Sequence, residues 1–319
     1  MTARAATAWI PAHAKLNLYL AVTGRRADGY HTLDTVFHQL DLHDDVAVSK
    51  AAEGVTCEVS ADAKDLLVPA DERNLAVRAL AGFRDRVAPD CGFHVRIHKR
   101  IPNGGGLGGG SSDAAACLRL ANDLVGRPVN ADALAALALS IGADVPFFLR
   151  GGSQRGRGIG DELSAVEVRA RHFVLLSPPY GCATAEVYKI HAGMLAAESN
   201  AGTLGRNQVP VDLGVGMPSG LYNHLEAAAE RLRPELGRLR RAVCAAGYEH
   251  VRMTGSGSTL FVMLEDERAA QRCRADLERA LIDTEHAAVG ITVTQSAGRI
   301  RGDGSSADMP RTLIDPPSA

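Results

Sequence analysis

Pro102-Asn-Gly-Gly-Gly-Leu-Gly-Gly-Gly-Ser-Ser-Asp-Ala-Ala-Ala116 decides how this chain is read. Six glycines, broken only by Leu107, leave a backbone without Cβ atoms, so its N–H groups can close around an anion. Ser111, Ser112 and Asp113 then open a segment whose small and apolar residues recur at Ala114, Cys117, Leu118, Ala121 and Leu124. That spacing is one face of a helix. Unpaired N–H groups and the positive end of the helix dipole therefore meet at the two serines, whose hydroxyls can reach phosphate oxygens or a Mg²⁺ ion. The segment has the makings of a phosphate cradle, with Gly106 placed for backbone to approach phosphate closely. The alternation of Phe93, Val95 and Ile97 leads into it, so order brackets the glycines on both sides and argues against a flexible linker. A Walker loop is excluded, because Gly110 is followed by Ser111 and not by lysine. Gly104, Gly106 and Gly109 satisfy the dinucleotide pattern G-x-G-x-x-G; most glycine runs do, so a dinucleotide site stays open at this point.

The 319 residues, 46% hydrophobic and 23% charged, have the composition of a globular protein with room for two domains. A formal charge of −2 gives no general attraction to nucleic acid or anionic membranes, so any anion site must be local. No apolar run reaches the length of a membrane span and the N-terminus lacks a signal-peptide core, which points to the cytoplasm. Six scattered cysteines without a C-x-x-C read as small buried side chains in a reducing compartment. The eleven histidines show no spacing such as H-E-x-x-H, which argues against a zinc site. His13, His38 and His43 read as surface or hydrogen-bonded polar residues.

Trp9 to Val22 alternates, with Ala14, Leu16, Leu18 and Leu20 on one face and Lys15, Asn17 and Tyr19 on the other. Taken alone, such a strand leaves Lys15 in solvent. Asp28-Gly29 is a tight turn, followed at once by Tyr30-His31. A short apolar segment from Leu33 to Leu42 precedes separate strands near Val46–Ser49 and Val55–Val59. Asn74 caps a helix to about Arg86, Gly92–His98 is a strand, and Asn130 caps a helix that Gly142 ends. Pro146 disfavours a helical Val145, so Asp144 is expected where a helix passes into extended chain. Gly151–Gly160 suggests a hairpin or hinge. Beyond Arg169 the pattern predicts a strand at His172–Ser177, a helix capped by Thr184, and helices at Leu221–Leu232 and Pro234–Ala246. Strands at Val251–Thr254 and Leu260–Leu264 then flank Gly255-Ser256-Gly257, before a helix at Asp266–Ile282 and a strand at Val289–Gln295. This order predicts an α+β architecture, an antiparallel sheet backed by helices. Residues 301–319, rich in Gly, Ser, Asp and Pro, are expected to be a disordered tail.

Pro102-x-x-x-Gly-Leu-Gly-Gly-Gly-Ser-Ser-Asp-Ala-Ala resembles the central phosphate loop of the GHMP small-molecule kinases. Ala14-Lys-Leu-Asn-Leu, Arg26-Ala-Asp-Gly-Tyr-His-Thr-Leu, Gly142-Ala-Asp-Val-Pro-Phe-Phe and Thr254-Gly-Ser-Gly-Ser extend the resemblance over residues 9 to 298 and narrow it to members whose acceptor alcohol carries a cytidine diphosphate. The resemblance implies a two-domain fold. An N-terminal α+β GHMP kinase domain would occupy residues 1–168 and a ferredoxin-like C-terminal domain residues 169–300, with the site in the cleft between them. It implies transfer of the γ-phosphoryl group of ATP, with Mg²⁺, to a 2-hydroxyl of the acceptor. Lys15 and Asp144 would stand at the reacting centre, Asn17 and Thr184 beside the acceptor, Tyr30 and Tyr188 against the cytosine, and His31 at its polar edge. The ATP phosphates would fall to Pro102, Gly104, Gly105, Gly106, Leu107, Gly108, Gly109, Gly110, Ser111 and Ser112, with Asn74 and Lys99 near the adenine. The implied partners are small molecules, ATP and a cytidine diphosphate sugar alcohol, with no nucleic acid or membrane, and the chain is expected to be a monomer or weak homodimer.

Physical chemistry supports the roles that the resemblance implies. Phosphoryl transfer asks a protein mainly to position an alcohol in line and to absorb charge on the transferring oxygens. Asp144 suits an orienter of the hydroxyl and late proton acceptor, and Lys15 an electrostatic partner of both Asp144 and phosphoryl oxygens. A pyrimidine needs flat partners and a donor–acceptor edge, which two tyrosines and a histidine supply. A nucleotide-binding oxidoreductase would instead need an acid at a strand end about twenty residues beyond the loop. Asp123 and Asp132 fall in or beside helices. A non-catalytic nucleotide sensor would have no use for both Lys15 and Asp144.

Overall fold

The computed structural model describes residues 8–62, 68–198 and 220–297, so the expected tail at 301–319 lies outside the described residues. In chain order the elements are β1 (Ile10–Arg25), β2 (His31–Ala51), β3 (Val55–Ala61), α1 (Leu75–Val87), β4 (Gly92–Lys99), α2 (Gly109–Leu124), α3 (Ala131–Ile141), α4 (Val145–Arg150), β5 (Ser153–Arg157) and β6 (Glu162–Ala165). They continue as β7 (His172–Ser177), α5 (Thr184–Glu198), β8 (Tyr222–Asn223), α6 (Glu226–Leu232), α7 (Pro234–Ala245), β9 (Arg252–Met253), β10 (Leu260–Leu264), α8 (Glu267–Leu281) and β11 (Gly290–Gln295). Asn74, Asn130 and Asp266 each accept a backbone N–H at a helix start, the local chemistry that begins α1, α3 and α8.

Two sheets organise the molecule. The larger runs β3-β4-β2-β1-β8, with the β5–β6 hairpin paired to β2. The first four helices pack onto it through a core that includes Val46, Val48, Phe83, Phe93, Val95, Leu118 and Phe147. The second sheet is antiparallel in the order β11-β7-β10-β9. With helices between β7 and β9 and between β10 and β11, its chain path is ferredoxin-like.

The sheets meet along β1. Ala14, Leu16 and Leu18 share a buried core with Phe173, Leu175 and Phe261 of the second sheet. Lys15 and Asn17, on the other face, are each only 3% exposed. The alternation was correctly a strand, but the solvent face expected for an isolated strand does not exist here. Other local expectations also change. The segment from Leu33 to Leu42 and the strand near Val46 are one continuous strand, β2, interrupted only by register shifts against β1. Val145 and Pro146 begin a short helix instead of extended chain, because proline in a first turn lacks only an N–H that would have no helical partner. Helix α5 starts at Thr184 itself, one residue earlier than a Thr184 cap would place it. Tyr222 and Asn223, expected in a helix, pair in parallel with Tyr19 and Leu20. A segment from beyond residue 169 thus completes the first sheet. All six cysteines are unpaired, and no described helix is long and apolar enough to cross a membrane.

His38 ties these parts together. Its Nδ1 and Nε2 lie 2.8 Å from the hydroxyls of Ser153 and Ser296, so one imidazole joins β2 to the hairpin and to the residue after β11. Burial holds its pKa down at about 4. A histidine whose folded-state pKa lies below its unfolded value stabilises fully above the unfolded pKa and loses that contribution as pH falls toward the folded one. The window here runs from about pH 6.5 down to about pH 4, and the contribution at stake is at most ~3 kcal/mol. Denaturant melts across this window should show wild type losing more stability than His38→Gln. Equal losses would show that His38 does not set this pH dependence.

Candidate active site

Alternation on β1 puts Lys15 and Asn17 side by side on one face of the strand, both buried. The Lys15 amine donates to Asn17 Oδ1 at 2.6 Å and lies 3.6 Å from Asp144 Oδ2. Asn17 is held in turn: its amide donates to Thr35 Oγ1 at 2.8 Å, and the Thr35 hydroxyl donates to the Tyr19 carbonyl at 2.7 Å. Side-chain exposure is 4% for Lys15 and 38% for Asp144, so the lysine is the floor and the carboxylate reaches toward solvent. Burial pushes the Lys15 pKa down, and the Asp144 carboxylate opposes it.

The glycine loop is bolted over this pair. Lys15 N–H donates to the Leu107 carbonyl at 2.9 Å, and the Leu107 side chain is buried in the core between the sheets. Thr259 N–H donates to the Gly105 carbonyl at 3.2 Å. Gly106 has φ +80°, and a Cβ there would lie 2.4 Å from the Thr254 carbonyl. The close approach expected of phosphate at Gly106 is thus already made by the backbone of the second glycine turn. Thr254 also accepts the Asn17 N–H on its hydroxyl at 2.9 Å, while Asn223 donates to the Met253 and Gly255 carbonyls, both at 2.8 Å. The loop opens α2, whose first N–H groups, from Gly109 to Ser111, lack partners within the helix. Gly104 and Gly110 are exposed, Pro102 and Ser111 half-buried, and Ser112 buried.

Lys99 and Asn74 occupy supporting positions. The Lys99 amine lies between Asp44 Oδ2 at 2.5 Å and Asp113 Oδ2 at 2.7 Å, and is 3% exposed. Asp44 accepts the N–H groups of Arg100 and Ile101 on its other oxygen, which fixes the chain entering the loop. Burial pushes the Asp113 carboxyl up, with Lys99 offsetting only part of the effect. Lys99 thus braces the loop and the first turn of α2 from behind. Asn74 caps α1 and donates to the Pro69 carbonyl.

The groups expected around a pyrimidine are only partly brought together. His31 stacks on Tyr188, with ring centroids 4.8 Å apart and planes 26° apart. Burial and then the charge of Asp144 push the Tyr188 phenol up, so the stack lies within electrostatic reach of Asp144. Tyr30 stands apart on the β1–β2 turn, 61% exposed, its N–H on Asp28 Oδ1 at 3.1 Å. The Thr184 hydroxyl meets that of Ser256 at 2.9 Å. Sequence reasoning passed over Thr35, Asp44 and Asn223. Strand register carries a signal for Thr35, opposite Leu20 on the paired strand. Asp44 and Asn223 have partners many residues away and left no local pattern.

Gly106→Val should destabilise the fold by about 3 kcal/mol and weaken both nucleotide and acceptor, because it forces Thr254 away from the loop. Gly104→Ala, where an added Cβ meets nothing within 4 Å, should cost only a backbone strain of about 1 kcal/mol. Thermal melts and ligand titrations separate the cases. A Gly106→Val protein of unchanged stability that has lost nucleotide alone would contradict this geometry.

Comparison with known proteins agrees with the architecture. Residues 74–152 match the GHMP kinases N terminal domain, and residues 208–283 the GHMP kinases C terminal family. A 4-diphosphocytidyl-2-C-methyl-D-erythritol kinase of Aromatoleum aromaticum is 38% identical over 82% of this chain and 86% of its own length. One from Desulfitobacterium hafniense is 34% identical over 91% and 97%. The crystal structure of a 4-(cytidine 5'-diphospho)-2C-methyl-D-erythritol kinase superposes with a TM-score of 0.70 at 32% identity, covering 91% of this chain and 100% of that one. Likeness of this extent places the chain in the 4-diphosphocytidyl-2-C-methyl-D-erythritol kinase family of the GHMP kinases.

Proposed function

We propose that this chain uses the cleft formed by β1, the glycine loop and α4 to transfer the γ-phosphoryl group of ATP to the 2-hydroxyl of 4-diphosphocytidyl-2-C-methyl-D-erythritol, a step toward isoprenoid precursors by the non-mevalonate route. The observation that carries the site assignment is a buried Lys15 amine held by Asn17 and facing a partly exposed Asp144 carboxylate. A lysine so placed is little screened by solvent, so its charge acts strongly on groups brought beside Asp144.

In this mechanism the acceptor hydroxyl donates a hydrogen bond to Asp144, which orients the oxygen for in-line attack. In a loose transition state the proton leaves late, so Asp144 acts first as a positioner and then as proton acceptor. Lys15 stabilises charge on the transferring phosphoryl oxygens and keeps Asp144 in place. Backbone N–H groups of the loop and the start of α2 hold the phosphates. The half-buried Ser111 hydroxyl, at the start of α2, and the partly exposed Asp144 carboxylate are hard oxygen donors of the kind Mg²⁺ takes, and they would hold the ion together with the phosphates of ATP. When bound, Mg²⁺ supplies neutralisation of phosphate charge. The Tyr188–His31 stack and the exposed Tyr30 would grip the cytosine, with Thr184 on the same side. Lys99 and Asn74 act on the nucleotide by holding the loop and α1.

We propose domains of residues 1–168 and 169–300, with β8 returning to the first sheet. We further propose a monomer or weak homodimer in the cytoplasm, a compartment that suits six unpaired thiols. The acceptor provides the test. Methylerythritol phosphate, which lacks the cytidine, should be phosphorylated far more slowly than the cytidine diphosphate compound at saturating ATP and Mg²⁺. Equal kcat/KM for the two would overturn the roles of Tyr30, His31 and Tyr188.

A further inference from the structure

A second group of chemically capable side chains lies on the β1–β2 pair. His13 stands directly opposite His43 in the antiparallel register. The next aligned pair is Lys15 with Gln39, so β2 advances by more residues than β1 over this stretch and bulges. Bulges re-aim side chains and disturb the ladder of carbonyls. Here the carbonyl of Leu40 receives His13 Nδ1 at 2.8 Å, and the carbonyl of Asp41 receives His43 Nδ1 at 2.6 Å. A carbonyl can only accept, so in each imidazole Nδ1 carries a proton, and Nε2 is the nitrogen left to ligate an ion.

Ligand atoms of His13, Asp41 and His43 all lie within 4.8 Å of one another. We propose that these three residues form a binding site for a borderline divalent cation, Zn²⁺ by its donor set. Two imidazoles and one carboxylate suit zinc, whereas Mg²⁺ favours oxygen alone. An Nδ1–H anchored on a backbone carbonyl is also the arrangement that orients ligating histidines and fixes their tautomer. The exposed Asp41 opens the site to solvent and leaves a coordination position for water. Asp45, whose carboxylate is 3.6 Å from His43 Nε2, adds negative charge nearby. The ion would clamp the bulge of β2 to β1 two residues before Lys15. The site escapes a search for local spacing, because cross-strand register and not a helical or loop motif brings its ligands together.

The test is Zn²⁺ titration of the full chain by calorimetry, paired with Co²⁺ absorption to distinguish nitrogen and oxygen ligands from the six thiols. Wild type should take up one ion, give Co²⁺ ligand-field bands without thiolate charge transfer, and melt at higher temperature with Zn²⁺. His13→Ala and His43→Ala should each bind about tenfold more weakly or worse and lose the thermal shift. Asp41 is exposed, so Asp41→Asn should fold whatever the histidine variants do, and it should show the same direction of loss. Absence of binding to wild type, unchanged affinity in the variants, or a thiolate spectrum would overturn the proposal.

Discussion

The architecture around Lys15 depends on one constraint, that its amine is buried and must nevertheless be satisfied. An unpaired buried charge costs several kcal/mol even after relaxation, so every element around it is arranged to face it. Asn17 receives the amine, Thr35 fixes Asn17, and Asp144 approaches from the start of α4. Satisfying the charge requires β1, β2 and α4 to converge, and the second sheet closes the other face of β1 through Phe173, Leu175 and Phe261. Buried ion pairs are weak evidence for stability. A buried lysine beside a glycine loop is better explained by the proposed phosphoryl transfer than by stability.

The glycine loop shows the same economy of space. Its glycines serve close approach of backbone to backbone and to side chains. Gly106 lies against the Thr254 carbonyl, and Gly108 takes φ +75° where a Cβ would strike the Phe148 ring. Behind the loop, Lys99 with Asp44 and Asp113 makes a second buried charged group, this one wholly inside the protein. Phosphates would therefore meet a rim set by backbone bonds on one side and by a buried ionic brace on the other. Such rigidity is what a site needs to favour a transition state over a bound substrate.

Much of this was legible in the residues because the informative signals were local. The loop, the caps at Asn74 and Asn130, and the Asp28-Gly29 turn each lie in a few consecutive positions. What escaped was non-local. Alternation identified β1 but could not show that a second sheet would bury its other face. Val145-Pro146 looked extended because the residue before proline usually is, yet the first helical turn tolerates proline. Tyr222 and Asn223 looked helical beside their neighbours, and only the open edge of β1 makes them a strand. At the site, Lys15, Asn17 and Asp144 were nameable and come together. Lys99 is braced away from solvent by two carboxylates, one of them Asp44, that no spacing rule connects to it.

The central claim is that Lys15 and Asp144 act as one unit, and a double-mutant cycle on the phosphoryl-transfer step tests it most directly. Single-turnover rates would be measured for wild type, Lys15→Met, Asp144→Asn and the double variant, with saturating ATP, Mg²⁺ and cytidine diphosphate acceptor. Each single change should slow transfer by about 10²–10⁴-fold. Because each residue relies on the other, the double variant should lose far less than the product of the two. Fully multiplicative losses, or a folded Asp144→Asn enzyme within a factor of about three of wild type, would contradict the account.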